Sequence, residues 1–97
     1  MRQFHIARLK GRELAVLLQH NLLDERETRV VAPLFVVSSI VPTHLLHPVI
    51  KIGRRNYLLA TEKLAAIAKR NIGTVIGSAE EREYEIRRAL NLVFCGL

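Results

Sequence analysis

GSAEEREYEIRRALNLVFCGL, residues Gly77 to Leu97, is the one long segment of the chain bounded at both ends by helix signals. Ser78 followed three residues on by Glu81 is a capping-box pattern, in which a hydroxyl and a carboxylate satisfy N–H groups left unpaired in the first helical turn. Glu80, Glu81 and Glu83 lie near the positive end of the helix dipole, and Arg87 and Arg88 lie nearer the negative end. Glu83 and Arg87 also form a correctly ordered i,i+4 pair. At about 100° per residue, Ile86, Ala89, Leu90 and Val93 share one side, a stripe wide enough to pack on a sheet. Tyr84, Arg88, Asn91 and Cys95 fall on roughly the opposite side. Phe94 flanks them, and Gly96-Leu97 follow directly.

Working outward, a chain of 97 residues is expected to form one domain, small enough that a dimer interface would help to cover apolar surface. Lys and Arg outnumber Asp and Glu by 15 to 9, for a net charge of +6. The excess is uneven: Lys51 to Arg70 holds six cations against Glu62 alone. Such a surface suits an acidic partner without identifying it. The single cysteine, Cys95, cannot form an internal disulfide, and no secretory leader pattern precedes the first strand-like run, so a cytoplasmic location is expected. The longest apolar run, Val30 to Val37, contains Pro33 and is far shorter than the roughly 20 residues needed to cross a bilayer. No membrane partner is expected.

The remaining chain predicts short strands. Gln3 to Leu9 puts Phe4 and Ile6 on one face and His5 on the other; Lys10-Gly11-Arg12 reads as a turn before the run Glu13 to Leu18, completing a hairpin. Leu22-Leu23 precedes a charged loop from Asp24 to Thr28, and Arg29 to Leu34 is a β-branched strand. Pro33 lacks a ladder donor and belongs at an edge or bulge. Pro48 to Ile52, the turn Gly53-Arg54-Arg55-Asn56, and Tyr57 to Ala60 form a second hairpin. Thr61 to Ala68 favours helix by composition. The expectation is a mainly β domain with one C-terminal α-helix packed on the sheet.

The chain resembles the CcdB toxin family. The likeness is carried by Pro48-Val49-Ile50-Lys51-Ile52-Gly53, by Thr61, Ala65 and Ile72-Gly73, and above all by Arg82-Glu83, Ile86, Ala89, Asn91, Leu92, Phe94 and Gly96-Leu97. Gln3-Phe4, Gln19, Leu22-Leu23-Asp24, Arg29 and Pro33-Leu34 follow the family's order in the N-terminal half. The resemblance implies an SH3-like, barrel-derived CcdB/MazF-type toxin fold, shared with endoribonuclease toxins. It also implies a homodimeric toxin of a type II toxin–antitoxin pair that binds the A subunit of DNA gyrase, traps it on cleaved DNA and is neutralised by a CcdA-like antitoxin. On that reading the protein is not an enzyme, needs no cofactor or metal, and does not bind nucleic acid directly.

Carried over position by position, the gyrase contacts are Leu22, Leu23, Asn91, Phe94, Cys95, Gly96 and Leu97. Lys51, Arg54 and Arg55 are the candidates for antitoxin binding. One departure matters: the best-known relatives have Trp at the position of Cys95. Burying a Trp removes up to about 250 Å² from water, so at about 25 cal/mol/Å² the difference from a thiol reaches a few kcal/mol per site. Two alternatives accompany the gyrase reading. One is an endoribonuclease toxin on the shared fold, using strand-end Arg, His or Thr residues; the other is a diverged relative without gyrase activity. Other candidate chemistry is thin. His44 and His47 form H-x-x-H without a third ligand, His5 and His20 read as strand-surface residues, and Ser38-Ser39 lacks a nucleophile motif.

Overall fold

A computed structural model describes residues 2–23, 26–37 and 45–96. Seven strands form one antiparallel sheet: β1 (His5–Leu9), β2 (Leu14–Leu17), β3 (Thr28–Val36), β4 (Val49–Ile52), β5 (Arg55–Leu59), β6 (Ala65–Ala68) and β7 (Ile72–Ser78). The spatial order is β4-β5-β3-β2-β1-β7, with β6 also paired to β3. The helix α1 (Glu83–Cys95) follows. This is the mainly β sheet with a C-terminal helix that the sequence predicts. Among the described residues no helix is long and apolar enough to cross a membrane.

Alternation along β1, β2 and β3 gives the sheet two apolar faces. Ile6, Val16, Ala32 and Leu34 join Phe4, Ile50, Leu59 and Ile86 in the larger core, and α1 closes that core. On the opposite face Ala7, Ala15, Leu17 and Val31 form a second cluster with Ile72, and Ile67 packs against it. Because β6 and β7 supply Ile67 and Ile72, the sheet curls over its own second face as a half barrel, which a flat sheet with one helix would leave wet. Gly73 permits this closure. A Cβ there would lie 2.7 Å from the backbone oxygen of Arg8, so only glycine lets β7 approach β1 so closely.

Pro33 sits at neither the edge nor the bulge expected of it. It lies inside β3, which pairs with β2 along one side and with β6 and then β5 along the other. The β6 pairing ends at Val31 and the β5 pairing begins at Leu34, so Pro33 occupies the gap between partners. Its carbonyl accepts from Ala60 N–H at 2.9 Å. A strand residue's N–H and C=O point the same way, so the missing donor faces the gap and no ladder bond is lost.

Thr61 to Ala68 is not a helix. Thr61–Lys63 forms a 3-10 turn and Ala65–Ala68 becomes β6, because pairing with Thr28–Val31 satisfies the backbone and outweighs a small local preference. The helix start also differs. Ser78 ends β7, its hydroxyl accepts from Glu80 N–H at 3.2 Å, and Glu80–Arg82 form a 3-10 turn before α1 begins at Glu83. The reciprocal Ser78/Glu81 capping box is therefore replaced by a one-sided turn contact. The Glu83–Arg87 pair forms at 2.7 Å as expected. Ile86 and Ala89 are buried, Leu90 and Val93 half-buried, and the stripe Tyr84, Arg88, Asn91 and Cys95 exposed.

A polar latch holds the chain leading into β4 against the 3-10 turn at Thr61–Lys63, on which α1 also packs. The Thr61 hydroxyl donates to Leu46 C=O at 2.6 Å, and buried His47 meets the Glu62 carboxylate through Nε2 at 2.8 Å. Partial burial pushes the Glu62 carboxyl up. The hydrogen bond from His47, one from the Glu62 backbone, and the charges of His47 and Lys63 outweigh it and hold the group below its ordinary value of 4.5. His20 differs from its strand-surface expectation: it is exposed ahead of a 3-10 turn, and its Nδ1 accepts from Leu22 N–H at 3.1 Å. His44, Ser38, Ser39 and Asp24 lie outside the described residues.

Two predictions follow from the packing and the latch. Ile86→Ala removes a fully buried side chain at the helix–sheet contact and lowers unfolding free energy by about 2–5 kcal/mol in urea denaturation. Tyr84→Ala on the exposed stripe changes it by about 0.5 kcal/mol or less. An Ile86→Ala loss no larger than the Tyr84→Ala loss contradicts this packing. Because the folded Glu62 value lies below the unfolded one, its contribution is present above the unfolded carboxyl range and fades as pH falls through the folded value. Glu62→Gln therefore lowers the unfolding midpoint near neutrality, and the two proteins converge as pH falls through the depressed folded value of the Glu62 carboxyl. A gap that stays constant with pH contradicts the latch.

Candidate functional site

Exposed large apolar side chains occur at several places among the described residues, and the most exposed are Leu22, Tyr84 and Phe94. A 3-10 turn at Asn21–Leu23 carries Leu22, 87% exposed, and the largely accessible Leu23. The turn is pinned rather than loose. Gln3 N–H donates to Asn21 Oδ1 at 2.8 Å, Gln19 Nε2 donates to Leu23 C=O at 2.7 Å, and Leu23 N–H donates to His20 C=O at 2.9 Å. Leu22 is thus held out in water by a frame that does not let it fold back. At about 25 cal/mol/Å², such a side chain is unfavourable in the isolated chain and favourable once covered.

The second element is the end of α1. Phe94 is 71% exposed, and Asn91 and the free thiol of Cys95 are also exposed. Gly96 adopts the left-handed conformation (φ 72°) and donates N–H to Leu92 C=O at 3.0 Å, which stops the helix with Phe94 and Cys95 at its rim. Leu97 lies outside the described residues. Asn21 shares a recess of about 250 Å³ with Glu83 and Arg87, placing the leucine turn beside the first turns of α1. Among the described residues no hydrogen bond joins Leu22 or Leu23 to residues 91–96. Within one chain the two halves of the expected gyrase contact stay on separate elements.

Lys51, Arg54 and Arg55 are all exposed on the β4–β5 hairpin, with Gly53-Arg54 as its two-residue turn. They do not form one patch with Lys69 and Arg70. The hairpin pairs with Leu34–Val36, whereas Lys69–Asn71 follows the strand paired with Thr28–Val31, at the other end of β3. Arg55 lines a recess of about 460 Å³ with Val36, Val37 and Asn56. A larger recess of about 790 Å³ brings Arg8, Arg12 and Glu13 of the first hairpin to Pro33–Val36 and Tyr57. The sequence reading missed this group. Its one local signal is the charge density of Arg8, Lys10, Arg12 and Glu13 about a turn. The strand pairing that adds Phe35 and Tyr57 spans some fifty residues of chain and leaves no periodic trace.

Solved structures share this fold. The chain matches a Mycobacterium tuberculosis toxin, MazF-mt6, at 17% identity and TM-score 0.78, covering 96% of each chain. It matches an endoribonuclease in complex with its cognate antitoxin from a mycobacterial species at 14% identity and TM-score 0.82, covering 100% of this chain and 96% of that one. A MazE-MazF structure from Deinococcus radiodurans follows at 14% identity and TM-score 0.75, covering 100% and 97%. At these identities the likeness establishes the CcdB/MazF-type fold. It also corrects one expectation: the reading of this chain as a non-enzyme does not stand, because structures on the same fold include endoribonucleases. The family pattern described as CcdB protein matches residues 3–96. The chain therefore belongs to the CcdB family and is the toxin component of a toxin–antitoxin system.

Proposed function

We propose that this toxin acts on the A subunit of DNA gyrase through the apolar residues at its leucine turn and helix end. The observation that carries the reading is the outward placement of Leu22 and Phe94, at 87% and 71% exposure, on a pinned turn and at a capped helix end. Aromatic residues such as Phe are enriched at protein interfaces, where a few desolvated side chains supply most of the affinity. Asn91, Cys95, Gly96 and Leu97 complete the helix half of the contact, and Leu23 completes the turn half. In a homodimer, two helix ends and two turns would present a two-fold symmetric patch to a two-fold symmetric target.

The antitoxin is proposed to engage Lys51, Arg54 and Arg55, whose charges are exposed to an acidic segment. Cys95 sets the strength of the gyrase contact. A thiol covers far less area than an indole, so the contact depends more heavily on Phe94 and Leu22 than it would with Trp at that position.

Binding to isolated gyrase A subunit, followed by calorimetry, tests the reading. Deleting Cys95 to Leu97 abolishes binding while the fold stays intact, because the core face of α1 is complete by Val93 and only the Gly96 cap is lost. Cys95→Trp tightens binding by at least about tenfold. Full binding by the truncated chain contradicts the proposal, as does an unaltered affinity for Cys95→Trp. Light scattering is expected to give a dimer mass, and a monomer mass at every concentration contradicts the shared patch.

A further inference from the structure

The β2–β3 ladder opens where the leucine turn leaves it. Leu17 pairs with Val31, and Leu18 N–H still donates to Val30 C=O at 2.9 Å. In a continuing antiparallel ladder Val30 N–H would donate back to Leu18 C=O. Two glutamine side chains take these groups instead: Gln3 Nε2 donates to Leu18 C=O at 3.0 Å, and Val30 N–H donates to Gln19 Oε1 at 3.2 Å. The other end of the Gln19 carboxamide, Nε2, donates to Leu23 C=O at 2.7 Å. One side chain thus ties the leucine turn directly to β3. We propose that Gln19 is a positioning residue for target binding: its carboxamide sets where Leu22 and Leu23 stand before any partner arrives. That role rests on the gyrase reading above.

The two backbone groups demand a carboxamide between them. Val30 N–H can only donate and Leu23 C=O can only accept, so the bridging group must offer an acceptor and a donor together. A carboxylate would turn an oxygen toward the Leu23 carbonyl, where two acceptors repel, and an apolar side chain of the same length would leave the half-buried Val30 without a partner for its N–H. The other pins on the turn do not reach β3. Leu22 N–H and Leu23 N–H both go to His20, and Asn21 accepts from Gln3 N–H. On the return side, Arg29 Nη1 donates to Arg26 C=O at 2.5 Å and to Thr28 C=O at 3.0 Å, which fixes the entry into β3. Gln19 joins these two fixed pieces. Ordering a loop on binding is among the main costs that association must offset, so a turn held in place beforehand binds more tightly than the same leucines on a loose one.

Gln19→Met keeps the length and the neutral charge of the side chain and removes both bonds. Amide hydrogen exchange reads the state of the turn, and calorimetry with isolated gyrase A subunit reads binding. For Gln19→Met the expected result is exchange at Leu23 and Val30 faster by at least about tenfold, with the amides of the β1–β7 pair unchanged. Gyrase affinity falls by about fivefold or more. In a Leu22→Ala background the same substitution costs less than about twofold, because Gln19 acts through the leucines it places. Unchanged exchange at Val30 overturns the proposal. So does faster exchange throughout the sheet, which would make Gln19 a support of the whole fold, and so does an equal loss of affinity in both backgrounds. Gyrase binding by the unaltered chain is measured first. Its absence sinks the gyrase reading and this role with it, whereas binding that Gln19→Met leaves untouched refutes the role of Gln19 alone.

Discussion

Strand β3 is the constraint on which the rest of the molecule depends. It is hydrogen-bonded along one side to β2 and along the other to β6 and β5 in succession, and it contributes Val31 to one core and Ala32 and Leu34 to the other. Pro33 sits where its second side changes partner. A proline in an ordinary central strand removes a ladder bond, but here the absent donor faces a gap that the geometry already requires. That change of partner lets one strand serve both the hairpin carrying Lys51, Arg54 and Arg55 and the curled region around Ile67 and Ile72.

The helix depends on this frame. Its burial is modest, with Ile86 and Ala89 fully enclosed and Leu90 and Val93 half-covered, so one narrow stripe fixes its orientation. The opposite stripe remains in water up to Cys95 and Gly96. Bound on one side and capped by a left-handed glycine, the helix presents Phe94 at a defined place without needing it for stability. The Leu22 turn follows the same logic: its shape is fixed by Gln3, Gln19 and His20, which leaves the leucine itself to contact other molecules.

Both hairpins, the terminal helix and its two faces were legible in the sequence, because each rests on local signals: period-two or 3.6-residue apolar spacing and turn residues between them. The leucine pair and the helix-end residues were legible through family resemblance. What was not legible depends on pairing between distant segments. Thr61 to Ala68 has a helical composition but meets Thr28–Val31. Pro33 looks like an edge residue until the change from β6 to β5 is known, and Ser78 is claimed by β7 before it can cap a helix. The recess beside the first hairpin was hidden for the same reason, since Arg8, Val36 and Tyr57 meet only after β1, β2, β3 and β5 have paired.

Family membership and fold leave the cellular target as the central question, because this sheet also carries endoribonucleases. The most direct measurement incubates the purified chain with gyrase, ATP and supercoiled DNA, then denatures the mixture and resolves the DNA for breaks covalently held by gyrase. Broken DNA is expected to rise with toxin concentration, to require gyrase, and to be lost when Phe94 and Leu22 are both replaced by Ser. Unbroken DNA with toxin in excess over gyrase, together with RNA cleavage by the same preparation, would contradict it.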